Sequence, residues 1–95
     1  MVVGICRFVI GLPGNGSLKD KRRRIRPIIN ALQSQHKFSV AEVEFQDQLD
    51  KAALAFAVVS NDRRLVNSEI DKAMDRIELL SDVVLQEHDF EITNY

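Results

Sequence analysis

Apolar residues recur with two different periods along the chain, and these periods predict its elements. The β-branched run from Val2 to Ile10 indicates a first strand. The segments "KFSVAEVEF" (37–45) and "AALAFAVVS" (52–60) indicate a second and a third strand, joined by a short polar stretch. The last segment, "VVLQEHDFEITNY" (83–95), indicates a fourth. Four strands are therefore expected.

Two other segments repeat their apolar residues at helical spacing. The first runs from Leu18 to about Gln35, and Ser17 is its expected N-cap because the hydroxyl can accept a hydrogen bond from a first-turn N–H. The apolar residues that gather on one side of this helix are Leu18, Ile25, Ile28, Ile29 and Leu32. The second helix is expected after a cap at Ser60, Asn61 or Asp62. Its apolar positions are Val66, Ile70, Ala73, Met74 and Ile77.

Pro27 interrupts the first helical segment. It has no N–H group, and its ring clashes with the carbonyl group of Arg23 in a regular helix. Either the helix kinks at this point, or the regular helix starts late and the arginine run is partly loop. The kink is the favoured interpretation.

The resulting order, βαββαβ, is that of the split-βαβ or ferredoxin-like plan. This plan is an α+β fold in which a four-stranded antiparallel sheet carries both helices on one face. Right-handed crossovers leave few alternative topologies. No repeat or linker divides the chain, so residues 1–95 are expected to form a single ferredoxin-like domain.

The third strand predicts how the two faces of the sheet differ. Its larger alternate residues, which should pack under the helices, are Ala52, Leu54, Phe56 and Val58. The residues left for the open face are Ala53, Ala55, Ala57 and Val59. RNA-recognition domains of this topology stack bases on aromatic residues of that face, so this binding mode is not expected here. A flat alanine row suits packing against a second sheet, and a homodimer through this face is one hypothesis. An open face of small residues that water covers is the other.

Composition restricts the class of protein and its location. The apolar runs are too short to span a bilayer. Arg7 interrupts the apolar N-terminal segment, which also lacks a basic leader, so a signal peptide is not expected. Cys6 is the only cysteine and cannot form an internal disulfide. These features favour a cytoplasmic protein with no membrane association.

The net charge of −1 conceals a strong asymmetry between the two parts of the chain. Residues 1–37 carry eight cations and one acid, a net charge of +7, whereas residues 38–95 carry five cations and thirteen acids, a net charge of −8. Six of the thirteen Lys and Arg residues fall between Lys19 and Arg26. Such a split indicates a localised surface for anions.

The position of this cluster is unfavourable for a free protein. The N-terminus of a helix is its positive end, and each exposed cation there costs roughly 0.3–1 kcal/mol at low salt. Repulsion between neighbouring cations adds to this cost. Bound phosphate would reverse the sign, because first-turn N–H groups and cations would then act together. The alternative is an ordinary solvated helix face, neutralised by acids of the second half.

Topology extends the predicted basic surface. A stripe from Lys19 to Lys37 would be about 27 Å long at 1.5 Å per residue, enough to follow several phosphates. Arg63 and Arg64, in the first turn of the second helix, should lie near His36 and Lys37 at the same end of the sheet. Lys21 falls on the apolar side and is expected to extend past the core edge toward a ligand. The predicted anion- or nucleic-acid-binding residues are Lys19, Lys21, Arg22, Arg23, Arg26, Lys37, Arg63 and Arg64.

Catalytic, metal and cofactor signals are weak. The turn "GLPGNGS" (11–17) precedes a helix but lacks the Gly-Lys-Ser/Thr ending of a phosphate loop. Acylphosphatases share the topology, yet their glycine-rich loop pattern is not recognisable here. His36 and His88 have no ligand spacing between them. The acids that could hold a hard cation are better explained as solvated residues at a sheet edge, and they are Glu42, Glu44, Asp47 and Asp50. We therefore expect no enzyme activity, no metal and no cofactor.

Three motifs carry a resemblance to a known family. In this order and spacing, "GLPGNGSLKDKRR", "SVAEVEFQDQ" and "AVVSNDRR" are similar to the YlxP-like bacterial family of unknown function, over nearly the whole chain. The resemblance implies a ferredoxin-like fold. Members often lie in gene neighbourhoods devoted to translation initiation and ribosome maturation, which implies RNA or the ribosome as partner, and the family has no established active site. Its recurrent positions are occupied here by Ser17, Leu18, Lys19, Lys21, Arg22, Arg23, Ser60, Asn61 and Asp62. Pro27 departs from the pattern.

The sequence thus leads to two hypotheses of different classes. The first is a small cytoplasmic protein that binds RNA or the ribosome by phosphate-backbone contacts from its first helix, without base readout. The second is a dimeric protein-interaction module whose basic stripe docks an acidic protein.

Overall fold

Six elements follow one another in the computed structural model, which describes residues 1–95. They are β1 (Val2–Gly11), α1 (Leu18–Gln35), β2 (Ser39–Glu44), β3 (Lys51–Ser60), α2 (Arg63–Glu78) and β4 (Val84–Asn94). The strands form one sheet in the order β2-β3-β1-β4, and every neighbouring pair is antiparallel. The predicted ferredoxin-like fold is confirmed. No helix is long and apolar enough to cross a membrane.

Both helix termini that the sequence marked are capped by side chains. The Ser17 hydroxyl accepts a hydrogen bond from the backbone N–H of Asp20 at 3.0 Å. For α2 the cap is Asp62, whose carboxylate accepts hydrogen bonds from the N–H groups of Arg64 and Leu65. Helix α1 is continuous from Leu18 through Pro27, so the alternative of a late helix start is wrong.

The core lies between the sheet and the two helices. Helix α1 packs against β2, and α2 packs against the other three strands. From β3, Ala52, Leu54 and Phe56 are buried in this core, in agreement with the predicted parity, whereas Val58 is only partly buried. Burial of apolar area on this face is the main stabilising contribution to the fold.

Ala53 differs from its prediction. It was expected on the exposed open face, but its exposed fraction is 0%. On that face Ala53 and Val9 are cross-strand neighbours, with Glu44 beside one and Glu87 beside the other. The guanidinium of Arg7 bonds both carboxylates, at 2.7 Å from Nε to Glu44 and 3.1 Å from Nη1 to Glu87. The Arg7 side chain therefore extends from one carboxylate to the other and covers Ala53 and Val9, which lie between them.

Candidate nucleic-acid interface

The exposed side of α1 forms a groove of about 540 Å³ without a hydrophobic lining. The residues that line it follow the i, i+3, i+4 spacing of one helix face, and they are Lys19, Arg22, Arg23, Arg26, Pro27 and Asn30. We call the four cations among them, Lys19, Arg22, Arg23 and Arg26, the α1 stripe. All four are exposed. The ends of the groove, Lys19 and Asn30, lie eleven positions apart on the helix, a length of about 17 Å.

Almost no negative charge neutralises the α1 stripe. Its single ion pair joins Arg23 to Asp20 at 3.7 Å, and both side chains are exposed. Lys19, Arg22 and Arg26 make no ion pair, and no carboxylate from residues 38–95 pairs with any stripe residue. An exposed pair at that distance contributes little. The stripe thus carries four cations and one nearby acid.

Lys21 does not belong to this surface, contrary to the prediction from the sequence. Its side chain has an exposed fraction of 2%. The ammonium donates hydrogen bonds to the carbonyl oxygens of Phe45 and Gln48 at 2.7 and 2.8 Å, and it lies 3.0 Å from Glu42 Oε2. Three acceptors of the chain itself surround the ammonium, so the expectation that Lys21 reaches toward a ligand is wrong. It holds the β2–β3 loop against α1.

Arg24 is also engaged within the molecule. Its guanidinium donates to the carbonyl oxygen of Pro13 at 2.9 Å and to that of Asp82. It therefore ties α1 to the turn after β1 and to the segment before β4. Of the six clustered cations, two thus bind the fold internally and four face solvent.

The remaining predicted cations lie in two separate depressions. Lys37 follows α1 with a φ of 56° and borders a depression with Val59 and Leu65. Arg63 and Arg64 line another, beside β4. The α1 groove ends at Asn30. The expected continuous path from Lys19 through Lys37 to Arg63 is therefore not formed as a single groove.

One cation that was not predicted from the sequence, Arg76, lines a crevice that adjoins the α1 groove. Arg76, in the last turn of α2, lines the apolar crevice between the helices together with Pro27 and Ala31. Since Pro27 also lines the α1 groove, Arg76 borders the same surface. It makes no ion pair. The only sequence signal was a cation near a helix C-terminus, which is commonplace.

Groups with potential chemistry lie apart from one another. Burial, followed by the charge of Asp89, raises the pKa of the Cys6 thiol to about 11, so the reactive thiolate is disfavoured. His36 Nδ1 lies 2.8 Å from Glu69 Oε2, and its ring stacks on Phe38 at 5.1 Å between centroids. The contacts of His36 join the end of α1 to α2, and Cys6 packs between the sheet and α2, so both side chains have a structural role.

The open sheet face is more acidic than an alanine row would be. Ile5, Ala55 and Ala57 line a concave region of about 420 Å³, and Asp89 and Glu91 of β4 line it as well. At one end the hydrogen bonds from Arg7 to Glu87 and to Glu44 raise the pKa of Arg7. An apolar floor thus has carboxylates along one side.

Sequence comparisons match this chain to a family without an assigned function. The family described as "Protein of unknown function (DUF503)" matches residues 3–91. A protein of Bacillus subtilis (strain 168) described as "Uncharacterized protein YlxP" is 26% identical over 68 residues, which cover 72% of this chain and 74% of that protein.

Among solved structures, a dimeric ferredoxin-like protein from an uncultured marine organism superposes with a TM-score of 0.52 at 8% identity, covering 98% of this chain and 94% of that one. The match extends over nearly the whole of both chains and shows a shared fold. The resemblance to the YlxP-like family is confirmed by the family and sequence matches, and the chain belongs to the DUF503 family.

Proposed function

We propose that this protein is a cytoplasmic RNA- or ribosome-binding protein, rather than an enzyme, and that the α1 stripe contacts the phosphate backbone. The observation that carries the proposal is the lack of intramolecular neutralisation. Four exposed cations share one helix face, and Asp20 is their only carboxylate partner. In the free protein this arrangement is repulsive.

The size of the repulsion supports an anionic ligand. Lys19 lies in the first turn of α1, where an exposed cation costs roughly 0.3–1 kcal/mol. The like-charge pairs at i,i+3 and i,i+4 spacing, Lys19–Arg22, Lys19–Arg23, Arg22–Arg26 and Arg23–Arg26, cost roughly 0.2–0.5 kcal/mol each. After screening these contributions amount to about 1–2 kcal/mol, a notable fraction of a domain stability of about 5–15 kcal/mol. A polyanion turns the same contributions into attraction.

The shape of the groove favours a polymer over a small anion. The α1 groove is open along about 17 Å of helix, and its lining side chains come from a single element. A small anion would contact only part of it. Successive phosphates of an RNA backbone could contact the whole stripe, with Arg side chains giving charge-assisted, bidentate hydrogen bonds. The gene neighbourhoods implied by the family resemblance favour RNA among polyanions.

The salt dependence of binding tests the proposal. Affinity for a structured ribosomal RNA fragment, measured by fluorescence anisotropy from 50 to 300 mM KCl, should fall with a slope of log K against log salt of roughly −3 to −4, as for four neutralised phosphates. A variant with Gln at all four stripe positions should lose most of this slope. No detectable affinity, or an affinity independent of salt, would contradict the proposal.

A second candidate is a homodimer, and one comparison favours it. The similar marine protein is described as dimeric, and we propose that two copies of this chain could pair through the open faces around Ile5, Ala55 and Ala57. Asp89 and Glu91 line the same face, so raising the salt concentration should strengthen the dimer. A monomer by sedimentation equilibrium at tens of micromolar, in both low and high salt, would refute it.

The remaining alternative is an acidic protein docked on the α1 stripe, and nuclease treatment distinguishes it from RNA binding. Pull-down from a nuclease-treated lysate would retain an acidic protein partner, whereas an RNA-mediated association would disappear. Co-sedimentation with ribosomal subunits over a salt series would then distinguish free RNA from the assembled ribosome.

A further inference from the structure

A depression of about 330 Å³ lies between the start of α2 and the edge strand β4, on the same side of the sheet as the helices. Five residues line it, three from the helix and two from the strand: Arg63, Arg64, Asn67, Phe90 and Ile92. It is separate from the α1 groove, with which it shares no lining residue. Its composition combines an aromatic ring, two guanidinium groups and an amide.

The exposed aromatic ring is the unusual part of this depression. Phe90 pairs across the sheet with Cys6, whose thiol lies 3.8 Å from Met74 Sδ of α2, so Phe90 is on the helix side. The other phenylalanines on that side of the sheet, Phe8 and Phe56, are buried, whereas Phe90 has an exposed fraction of 44%. Because β4 is an edge strand, α2 leaves part of this ring uncovered.

The two arginines beside the ring face little negative charge. Arg63 donates a hydrogen bond to the carbonyl oxygen of Ile92 at 3.1 Å, which holds its guanidinium over β4. The Arg64 side chain has no acceptor in the molecule. The Asp62 carboxylate is occupied by the N–H groups at the start of α2. Glu91 pairs with Ile5 and therefore points to the other face of the sheet.

We propose that this depression binds an unpaired nucleotide, with the base stacked on Phe90 and the phosphate held by Arg64 beside Arg63. A planar base and an aromatic ring stack regardless of base identity. The Asn67 amide provides both a donor and an acceptor for a base edge. The inference rests on the proposed function for its ligand class, RNA, but it uses a different surface and adds base contact to backbone contact.

This mode differs from that of RNA-recognition domains with the same topology. Those domains stack bases on the open sheet face, where Ala55 and Ala57 lie here, since Phe56 and Phe90 both pair with Cys6 and point to the helix side. Here the ring proposed to stack on a base, that of Phe90, lies on the edge strand β4, on the helix side of the sheet and next to the arginines of α2.

Two oligomers of equal charge test the stacking. Fluorescence anisotropy would compare a labelled six-nucleotide single-stranded oligo(A) with an abasic ribose-phosphate oligomer of the same length. One stacked base corresponds to about a 5- to 150-fold preference for oligo(A). Phe90→Leu should abolish the preference and Phe90→Tyr should retain it. Circular dichroism and thermal melting would establish that both variants are folded.

A measurement on the unmodified protein removes the dependence on variants. Titration with adenosine monophosphate should shift the NMR resonances of the Phe90 ring upfield by ring-current effects, and ribose 5-phosphate should not. Tighter binding of oligo(A) than of adenosine monophosphate would identify an RNA strand as the source of the nucleotide, and the reverse would identify a free nucleotide. Unchanged Phe90 resonances, or equal affinity for the base-containing and abasic oligomers, would overturn the inference.

The two proposals can fail separately. If the α1-stripe variant loses salt-dependent binding to structured RNA while Phe90→Leu leaves the oligo(A) preference intact, only the nucleotide site is wrong. If the preference depends on Phe90 but the stripe variant binds structured RNA normally, only the role of the stripe is wrong.

Discussion

The ammonium of Lys21 donates a hydrogen bond of 2.7 Å to the carbonyl oxygen of Phe45, so a cation from the basic cluster is buried against the loop that joins β2 and β3. Phe45 has a φ of 63°, in the left-handed region that a phenylalanine rarely adopts. The hydrogen bond to its carbonyl helps to hold this conformation. The basic run thus has two roles, since Lys21 and Arg24 stabilise the fold and the four cations of the α1 stripe face solvent.

Lys21→Met should destabilise the protein by about 2–4 kcal/mol, because it leaves the partly buried Glu42 carboxylate and two carbonyl groups without their partner. Urea denaturation followed by circular dichroism measures the free energy of unfolding. Lys19→Met is the matched control and should not destabilise the protein, since Lys19 is exposed and unpaired and its charge is unfavourable in the first turn of α1. Equal effects of the two substitutions would contradict this assignment.

Arg22→Gln and Arg26→Gln should each reduce the magnitude of the slope of log K against log salt for RNA binding by about one, because each removes one phosphate contact. Arg24→Gln removes the same charge from the same helix, but its guanidinium bonds Pro13 and Asp82. It should lower the free energy of unfolding by about 1–2 kcal/mol and leave the slope unchanged. A slope that responds equally to Arg22 and Arg24 would mean that overall charge, and not the stripe, determines affinity.

Lys19→Glu should stabilise the free protein by about 0.5–1.5 kcal/mol at low salt, because an acid replaces a cation in the first turn of α1 and relieves repulsion with Arg23. Thermal melting at 10 mM and 500 mM NaCl would show the gain and its loss through screening. The same substitution should weaken RNA binding. Lys72→Glu, in the middle of α2, makes the same change of charge away from the stripe and is the control for a general charge effect on RNA binding; it should not stabilise the protein, because it also removes the ion pair of Lys72 with Glu69.

Native Cys6 should react slowly with a thiol reagent at pH 8, because burial raises its pKa to about 11 and keeps the thiol protonated. Labelling should therefore follow the transition in urea. A raised pKa in the folded state contributes stability that is present below the unfolded-state value, near 9, and is lost as the pH rises toward 11. Cys6→Ala should remove this contribution to the alkaline loss of stability, and rapid labelling of the folded protein would contradict it.

The fold could be predicted from local patterns because helices and strands repeat their buried positions with different periods. The alternation of larger and smaller residues in "AALAFAVVS" indicated a strand, and the spacing of Ile25, Ile28 and Leu32 indicated a helix. Ser17 could be placed as a cap because its hydroxyl bonds an N–H three residues away. Such relationships are short-range, so they require no knowledge of the rest of the chain.

The candidate site was predicted less completely, because its parts depend on partners distant in sequence. Lys21 and Arg22 are adjacent and chemically alike, yet only Lys21 meets carbonyl groups 24 and 27 residues away. Arg76 borders the α1 groove through packing of the two helices. Phe90 could be assigned to a strand from the sequence, but its position beside polar residues of α2 could not, because these residues are distant in sequence.

By itself the sequence determined the six elements, their antiparallel order and the concentration of positive charge on α1, since these follow from periodicity and residue type. Only the tertiary structure decided which cations remain free, why Ala53 is buried and where an aromatic ring stays exposed. The reason is that burial and pairing depend on which distant groups arrive at each side chain. Arg7 shows this directly, because its guanidinium bonds carboxylates on both edge strands that lie 37 and 80 residues away in the sequence.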